Sequence, residues 1–443
     1  MGPAVDPARL GRRALLAGAG GVLLSGCSGG SGGGSAAKPT GSPTPSGPIV
    51  HEQDAGTVIT RADIDALLGR MDAAIRNADA AALKEVAPKV HVPVWQRRLD
   101  NLARFPLDEI GFAFDDSLDR QVNASGGRVE TTVYIALTHR IAGVDARPVV
   151  QIYGATLLKA DPEAPVRIVE MDDHPDDEGS PAAWDLEDWD AVESEHVVVA
   201  ARREDIGLVR SHLATIDEGV AAALALIPPP PGVERTYLVL ADPESRIYES
   251  NENLPVVKES DGFAMRVGYI DPSQAAKSGK GAGAKAAYAG SRLVLHPGAF
   301  SSSSRLREVA MHESIHGLAF QWGDADPWPT EGLATWGDSG GRTGLLGDSY
   351  YGPMIRSGFA GFAERMRGDR SFSYEQFHGA YRSANYACAA AVYAYLESRG
   401  GRDEALEFAR LAYSDGRDEA CRKLGDRDQQ TLFGKVLQWT RTV

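Results

Sequence analysis

Residues 311–336, MHESIHGLAFQWGDADPWPTEGLATW, dictate more of the local architecture than any other stretch of this chain. Positions four apart on a helix project from one face, so the rings of His312 and His316 can reach a single cation, while Glu313 points beside it. The glycine, prolines and aspartates that follow predict a turn that returns a second helix against the first. Glu331 opens that second helix and is the available third ligand. Two histidines and one carboxylate leave the fourth position of a zinc ion open for chemistry.

Residues 58–175 predict a small α+β unit. A helix begins after Thr60, which forms a capping box with Asp63, and its apolar residues lie on one stripe. β-branched and aromatic segments follow, separated by turn residues, so about four antiparallel strands are expected to form a curved sheet on the first helix. This pattern resembles the cone-shaped fold of nuclear transport factor 2 and its relatives. The resemblance implies a small-ligand binder or a spacer, and no residue chooses between these roles.

The acidic, tryptophan-containing segment 176–193 predicts a linker, and residues 194–443 predict a second domain. EHVVVAARRED, RTYLVLAD and SRLVLHP are strand-like, and a long helix lies between the first two. The serines at 301–304 supply helix caps for the histidine helix, and the sequence is helical in character from Ser357 onward. Strands first and helices after, with the histidine helix between them, predict an α+β fold.

HESIHGLAF…WPTEGLATW resembles the gluzincin metallopeptidases, and most of all the bacterial peptidase-MA-like proteins. In those proteins H-E-x-x-H is followed at a short distance by a tryptophan or proline and then by E-G-x-A. The resemblance extends over residues 194–443 and implies a mixed sheet, a zinc helix and a helical C-terminal subdomain. It also implies that His312, His316 and Glu331 bind Zn²⁺ and that Glu313 is the general base.

The chemistry implied by the resemblance is hydrolysis of a peptide bond without a covalent intermediate. A zinc-activated water attacks the carbonyl, and Glu313 takes its proton and passes it to the leaving amine. The oxyanion needs a second donor, and Tyr386 is the predicted one, because YACAAAVYAYLESRGG resembles a segment of aminopeptidase-N-like gluzincins in which a tyrosine precedes a small-residue helix. Tyr381, Tyr350 and Tyr351 are the competing candidates, and a structural role fits each of these tyrosines equally well.

Two neighbours of the motif carry further expectations. In the thermolysin group the position four after the third ligand is an aspartate that supports a histidine, but Thr335 stands there in this sequence, so Asp338 is the predicted supporting residue. In relatives the strand before the zinc helix pairs with the substrate backbone, and SRLVLHP is expected to be that edge strand. His296, at the end of this strand, is expected to be structural.

Two other functions fit parts of the same pattern. A non-catalytic lipoprotein would keep the peptidase-like domain as a ligand- or peptide-binding module. A non-haem iron oxygenase also uses two histidines and one carboxylate, but its ligands usually lie on the strands of a barrel rather than on one helix. The pattern therefore favours the peptidase, although neither the substrate nor the choice between endo- and exopeptidase action follows from it.

Residues 1–27 predict an exported lipoprotein. Arg12 and Arg13 precede an apolar segment that is too short to span a bilayer, and RRALL resembles the twin-arginine export pattern. LSGC resembles the bacterial lipobox, which makes Cys27 the predicted lipidation site and places the protein on the outer face of the cell membrane. An ordinary cleaved signal is the alternative. Residues 28–57 are rich in glycine, serine and proline and predict a flexible tether.

Charge and cysteine content restrict the partners. The chain has 46 basic and 61 acidic residues and a formal charge of −15, which argues against a nucleic-acid partner held by bulk charge. The predicted partners are a peptide or protein substrate and, through Cys27, the membrane. In an oxidising compartment Cys388 and Cys421 either form a disulfide or remain as two buried thiols. The oligomeric state does not follow from the sequence.

Overall fold

The computed structural model describes residues 57–77, 79–87, 98, 101–102, 104–114, 121–125, 127–173, 182–186, 188–241, 260–269, 287–367 and 374–443. The predicted signal segment, its Cys27 and the predicted tether up to residue 56 lie outside the described residues. Within these ranges, helices combine with two five-stranded sheets. The predicted α+β class is confirmed.

The N-terminal unit contains an antiparallel sheet, and its described residues include the helices α1 (Arg61–Arg76) and α2 (Ala80–Val86). Its strands are β1 (Leu107–Phe114), β2 (Gln121–Ser125), β3 (Arg128–Ile141), β4 (Val149–Lys159) and β5 (Arg167–Asp173). Their order is β1–β3–β4–β5, and β2 pairs with β3 beyond the end of β1. The predicted capping box is confirmed, because Thr60 and Asp63 each accept a hydrogen bond from the backbone of the other. The apolar stripe of α1 packs into the core of this sheet.

The second unit contains a mixed sheet of five strands, β6 (Trp189–Glu193), β7 (Val197–Arg202), β8 (Thr236–Leu240), β9 (Gly262–Tyr269) and β10 (Ala287–Leu295). Their order is β6–β7–β8–β10–β9, with parallel pairing in the centre and antiparallel pairing at both ends. The expectation that SRLVLHP is an edge strand is wrong, because β10 pairs with β8 on one side and β9 on the other. Consecutive buried residues at its end, from Leu293 to Leu295, suit an interior strand covered on both faces.

The acidic segment between the two units does not behave as a free linker. Trp184 and Trp189 are each only 2% exposed and pack into a core that both sheets share. Asp185 is buried beside Trp184 and accepts a hydrogen bond of 2.9 Å from the hydroxyl of Tyr153. The second sheet therefore begins at Trp189 rather than at residue 194, because burial of the two tryptophans outweighs the acidic character of their neighbours.

Ten helices of the described residues follow the first unit. They are α3 (Ile206–Leu226), α4 (Ser303–Ala319), α5 (Pro327–Asp338), α6 (Gly341–Gly347), α7 (Tyr351–Arg365), α8 (Tyr374–Phe377), α9 (Arg382–Gly400), α10 (Arg402–Ser414), α11 (Arg417–Lys423) and α12 (Gln429–Trp439). Ser302 caps α4 through a hydrogen bond from the backbone of Arg305. Helix α4 packs beside α3 and against β9 and β10, and Gly219 of α3 approaches it so closely that a Cβ there would come within 2.5 Å of the Arg307 carbonyl. None of the helices in the described ranges has the length and hydropathy of a membrane span.

A buried ion pair joins the two units. Arg292 of β10 donates to both carboxylate oxygens of Asp145, which lies in the turn between β3 and β4, at 2.6 and 3.1 Å. The register of β10 shifts at Ala289, whose carbonyl accepts a hydrogen bond of 2.7 Å from the backbone of Ala146. The strand that precedes the histidine helix is thus attached directly to the N-terminal unit.

Candidate metal centre

Three buried side chains from two helices converge as the sequence predicts. The Nε2 atoms of His312 and His316 on α4 each lie 3.4 Å from Oε2 of Glu331 on α5. One ligand atom from each of the three residues lies within 4.8 Å of the others. Zinc-ligand bonds of about 2.0–2.1 Å in a tetrahedral arrangement place two ligand atoms about 3.4 Å apart. The donor set and its spacing therefore fit a divalent metal ion.

The turn between α4 and α5 is held from the C-terminal side. Gly323 has a positive φ of 131°, and a Cβ at this position would come within 2.5 Å of the carbonyl oxygen of Tyr413. Asp326, just before α5, forms an ion pair of 3.1 Å with Arg417. The reversal of the chain that returns Glu331 to the histidines therefore depends on a glycine conformation and on packing against the last helices.

Helix α5 is also fixed against α9. A Cβ at Gly332 would lie 2.8 Å from the carbonyl oxygen of Ala389, so the two helix backbones come into near contact beside Glu331. The hydroxyl of Tyr393 donates a 2.7 Å hydrogen bond to the carbonyl of Pro329. The position of the third ligand is thus determined by α9 as well as by the turn.

Asp338 lies where the sequence places it. Its Oδ2 is 2.7 Å from Nδ1 of His312, whose other nitrogen faces Glu331. Asp338 accepts a hydrogen bond from this nitrogen when the nitrogen carries the proton, which turns Nε2 toward the site. The hydroxyl of Thr335 is buried and has no hydrogen-bond partner in the part of the chain that the structure describes.

The electrostatics of the three candidate ligands favour positive charge among them. Burial alone would lower the pKa of His312, but hydrogen bonds with Asp338 and Glu331 raise it to about 10. Burial disfavours the charged form of Glu331, yet both histidine rings outweigh this effect and hold its pKa well below the usual range. Burial lowers the pKa of His316. In this buried site, a proton or a metal cation is the charge that the carboxylates stabilise.

Glu313 is buried next to the candidate ligands, and neither of its carboxylate oxygens has a hydrogen-bond partner among the described residues. Burial, with the nearby charge of Glu331, raises its pKa to about 8. A Cβ at Gly262, the first residue of β9, would lie 3.1 Å from Cγ of Glu313, which places this side chain at the start of β9. An unpartnered buried carboxylate is costly, so it is typical of a functional group rather than of a structural one.

Tyr386 reaches the site from α9. Its ring stacks on that of His312 with centroids 6.3 Å apart, and its hydroxyl is 3.1 Å from Nδ1 of His378. The competing tyrosines make other contacts. Tyr381 is 59% exposed and stacks on Arg365. Tyr351 is buried and contacts the ring of Tyr350 at the start of α7.

His378 is a site residue that the sequence does not reveal. It is buried, burial lowers its pKa to about 4, and its Nε2 lies 3.8 Å from Oε1 of Glu331. The ring of Tyr374 packs on it at 3.9 Å. The side chain of Asn385 fixes the backbone just before His378 by donating a 2.8 Å hydrogen bond to the carbonyl of Phe377. A single histidine far from the motif gives no periodic signal, and only its position eight residues before Tyr386 hints at a shared site.

The remaining predicted residues have structural surroundings. His296 is buried at the end of β10 and contacts the carbonyl of Ser260 through Nδ1. Cys388 and Cys421 are both buried free thiols in the structure, and burial raises the pKa of each to about 12.

Neither a protein-family model nor a curated protein sequence matches this chain. Its function must therefore be argued from the geometry of the metal centre.

Proposed function

We propose that this protein is a zinc-dependent peptidase that hydrolyses peptide bonds in the manner of the gluzincins. One observation carries the proposal: two imidazoles and a carboxylate converge on a single point, with the unpartnered carboxylate of Glu313 buried beside them. Helix α4 contributes both histidines and Glu313, and α5 contributes Glu331. This combination of a three-residue donor set with an adjacent free base is what metal-assisted hydrolysis requires.

Each residue has a distinct role in the proposed reaction. His312, His316 and Glu331 would hold zinc, which supplies a water of lowered pKa and polarises the substrate carbonyl. Glu313 accepts the proton of the attacking water and donates it to the leaving amine. Asp338 keeps the ring of His312 oriented through the 2.7 Å contact with Nδ1.

The substrate is proposed to be an extended peptide that passes the start of β9. Among the described strands β9 stands at the end of the sheet order, next to β10. Gly262 at its start lies against Glu313, so a peptide bound there passes the general base. Hydrogen bonds to the backbone of the peptide would hold it irrespective of its side chains.

The identity of the metal and the place of action complete the proposal. Imidazole and carboxylate donors on helices suit zinc in a hydrolase. We also propose export and lipid anchoring at Cys27, and this part depends on the sequence pattern alone.

The proposal is tested with purified protein, metal analysis and a mixed peptide library, with and without a chelator. Wild type should bind one zinc per chain and cleave peptides, and the chelator should abolish cleavage. Glu313→Gln should keep the zinc and lose about 100- to 10,000-fold in turnover, the usual contribution of a general base. His316→Ala should lose the zinc.

The matched control is Glu308→Gln, which changes a glutamate of the same helix outside the metal site and should retain both zinc and activity. Equal inactivity of zinc-loaded wild type and Glu313→Gln on the whole library would contradict the peptidase proposal. That result would instead favour the peptide-binding module.

A further inference from the structure

His378 is a buried group at the candidate metal centre to which the chemistry above gives no role. Its Nε2 is 3.8 Å from Oε1 of Glu331, while the other oxygen of Glu331 faces the two ligand histidines. His378 is not one of the three residues whose ligand atoms cluster together. It therefore lies beside the three candidate ligands, on the side of Oε1 of Glu331.

The two contacts of the His378 ring select one of its neutral forms. In neutral imidazole one nitrogen donates a hydrogen bond and the other accepts one. A lone pair on Nε2 would be repelled by the carboxylate of Glu331, whereas an N–H there is attracted to it. On the opposite side Nδ1 lies 3.1 Å from the hydroxyl of Tyr386, which is able to donate to it. Both contacts are favourable when the proton is on Nε2.

The His378 ring is also held in place. The ring of Tyr374 packs on it, with the two ring centroids 3.9 Å apart. Asn385 donates to the carbonyl of Phe377 and accepts 2.6 Å from Arg365, so it links the backbone before His378 to α7 and α9. A donor whose direction is set before the substrate binds is what stabilisation of a developing negative charge requires.

We propose that His378, with its proton on Nε2, donates the hydrogen bond that stabilises the substrate carbonyl oxygen as it becomes negative, and that Tyr386 is a positioning residue. The inference depends on the proposed peptidase function. It changes the role expected for Tyr386 from direct donor to support of His378. The rival arrangement is His378 as a fourth metal ligand, which would close the open position and leave a structural site.

The test uses four variants of the full chain, each loaded with zinc. His378→Ala removes the donor. His378→Gln places an amide N–H near the position of Nε2. Tyr386→Phe removes the support, and Tyr395→Phe is the matched control, because Tyr395 lies on the same helix but packs against Trp439. Zinc content, kcat and KM on a library peptide are measured for each, and the nitrogen NMR signals of the His378 ring are measured for wild type and the two tyrosine variants.

His378→Ala should keep its zinc and lower kcat about 100- to 1,000-fold with little change in KM, the effect of losing one donor to an oxyanion. His378→Gln should recover about tenfold of that loss, because a neutral N–H is restored. Tyr386→Phe should lower kcat about tenfold and turn a single Nε2–H signal into a mixture of the two neutral forms. Tyr395→Phe should match wild type.

Three results would overturn the inference: loss of zinc from both His378 variants, a proton on Nδ1 in wild type, or a larger loss of kcat in Tyr386→Phe than in His378→Ala. Failure of the proposed function looks different. Wild type would then hold zinc and cleave no peptide, and the donor role of His378 would be wrong as well. The NMR signals would still show whether the proton of the His378 ring is on Nε2.

Discussion

Both ring nitrogens of His312 contact a carboxylate: Nε2 contacts Glu331 and Nδ1 contacts Asp338. Residues 331, 335 and 338 lie on one face of α5, because they are four and three positions apart. Asp338 lies about one turn along the helix from Thr335, and its carboxylate reaches the ring of His312. A helix face, rather than a fixed sequence position, carries this part of the site.

Replacing Asp338 with Asn tests that contact. The amide keeps the shape but loses the negative charge, so Nδ1–H of His312 is held less firmly and its Nε2 becomes a weaker ligand. We expect zinc affinity to fall about 10- to 100-fold in Asp338→Asn, as measured by competition with a chelator. The control is Asp415→Asn, at an exposed aspartate paired with Lys423. Equal zinc affinity in both variants would show that Asp338 does not support the ligand.

At the scale of the elements, the metal centre depends on how closely α5 approaches α9. Gly332 follows the third ligand directly, and the space that a side chain would need there is filled by the backbone of Ala389 and the ring of Tyr393. Backbone atoms cannot move aside as a flexible side chain can. Added volume at this position therefore has to displace α5 itself, and Glu331 with it.

We expect Gly332→Ala to lose about 1–3 kcal/mol of unfolding free energy through overpacking. It should also weaken zinc binding, because Glu331 moves with its helix. Chemical denaturation and chelator competition measure the two effects. Gly434→Ala is the matched control: nothing lies within 4 Å of a Cβ at Gly434 in α12, so alanine should be neutral or stabilise the helix by up to about 1 kcal/mol. A Gly332→Ala protein with unchanged zinc affinity would contradict the argument.

The elements also show what the sequence makes predictable. The helix–turn–helix around Glu331 is encoded locally, by histidine spacing and by glycine and proline between the helices, and the structure brings the three predicted ligands together. The position of β10 is not encoded locally. Its partner β9, GFAMRVGY, gives no strong strand signal, so the sequence does not predict this pairing. Strand order depends on which segments pair across the chain, and periodicity within one segment does not contain that information.

His378 illustrates the same limit for the site. Its distance to Glu331 depends on how α8 packs on α9 and on the hydrogen bond from Asn385 to the carbonyl of Phe377. The spacing of residues in the sequence describes neither of these contacts. The sequence does not predict the burial of Trp184 and Trp189, because the residues around them in the sequence are acidic. Local chemistry was therefore predictable, whereas contacts between distant segments were not.

At the scale of the whole molecule, the two predicted domains share one of their cores. Phe105 and Ile141 of the first unit pack with Trp184, Tyr237 and Phe263, and the Asp145–Arg292 pair is buried between them. Removing one partner of a buried ion pair leaves an uncompensated charge. The N-terminal unit is accordingly part of the support of β10 and, through the close packing of Gly317 on β10, of the histidine helix.

His139 makes this junction sensitive to acid. It is buried in β3, its ring meets the edge of Trp184 at 4.7 Å, and burial, aided by the charge of Arg292, lowers its pKa to about 3. The unfolded chain binds a proton at this residue near pH 6.5 and the folded chain does not. Because of this difference in proton binding, the free energy of unfolding is unaffected above pH 6.5 and decreases progressively as the pH falls from 6.5 toward 3. Between pH 7 and pH 5 the decrease amounts to about 2 kcal/mol of unfolding free energy.

His139→Leu should therefore lose about 2 kcal/mol less than wild type when the pH is lowered from 7 to 5, whatever its stability at pH 7. Chemical denaturation of the zinc-loaded proteins at both pH values measures the difference, and the comparison cancels the carboxylates that both proteins contain. Equal pH dependence of the two proteins would mean that His139 takes up a proton without unfolding. The junction would then accept charge beside Arg292, and the shared core would be more open to water than its packing indicates.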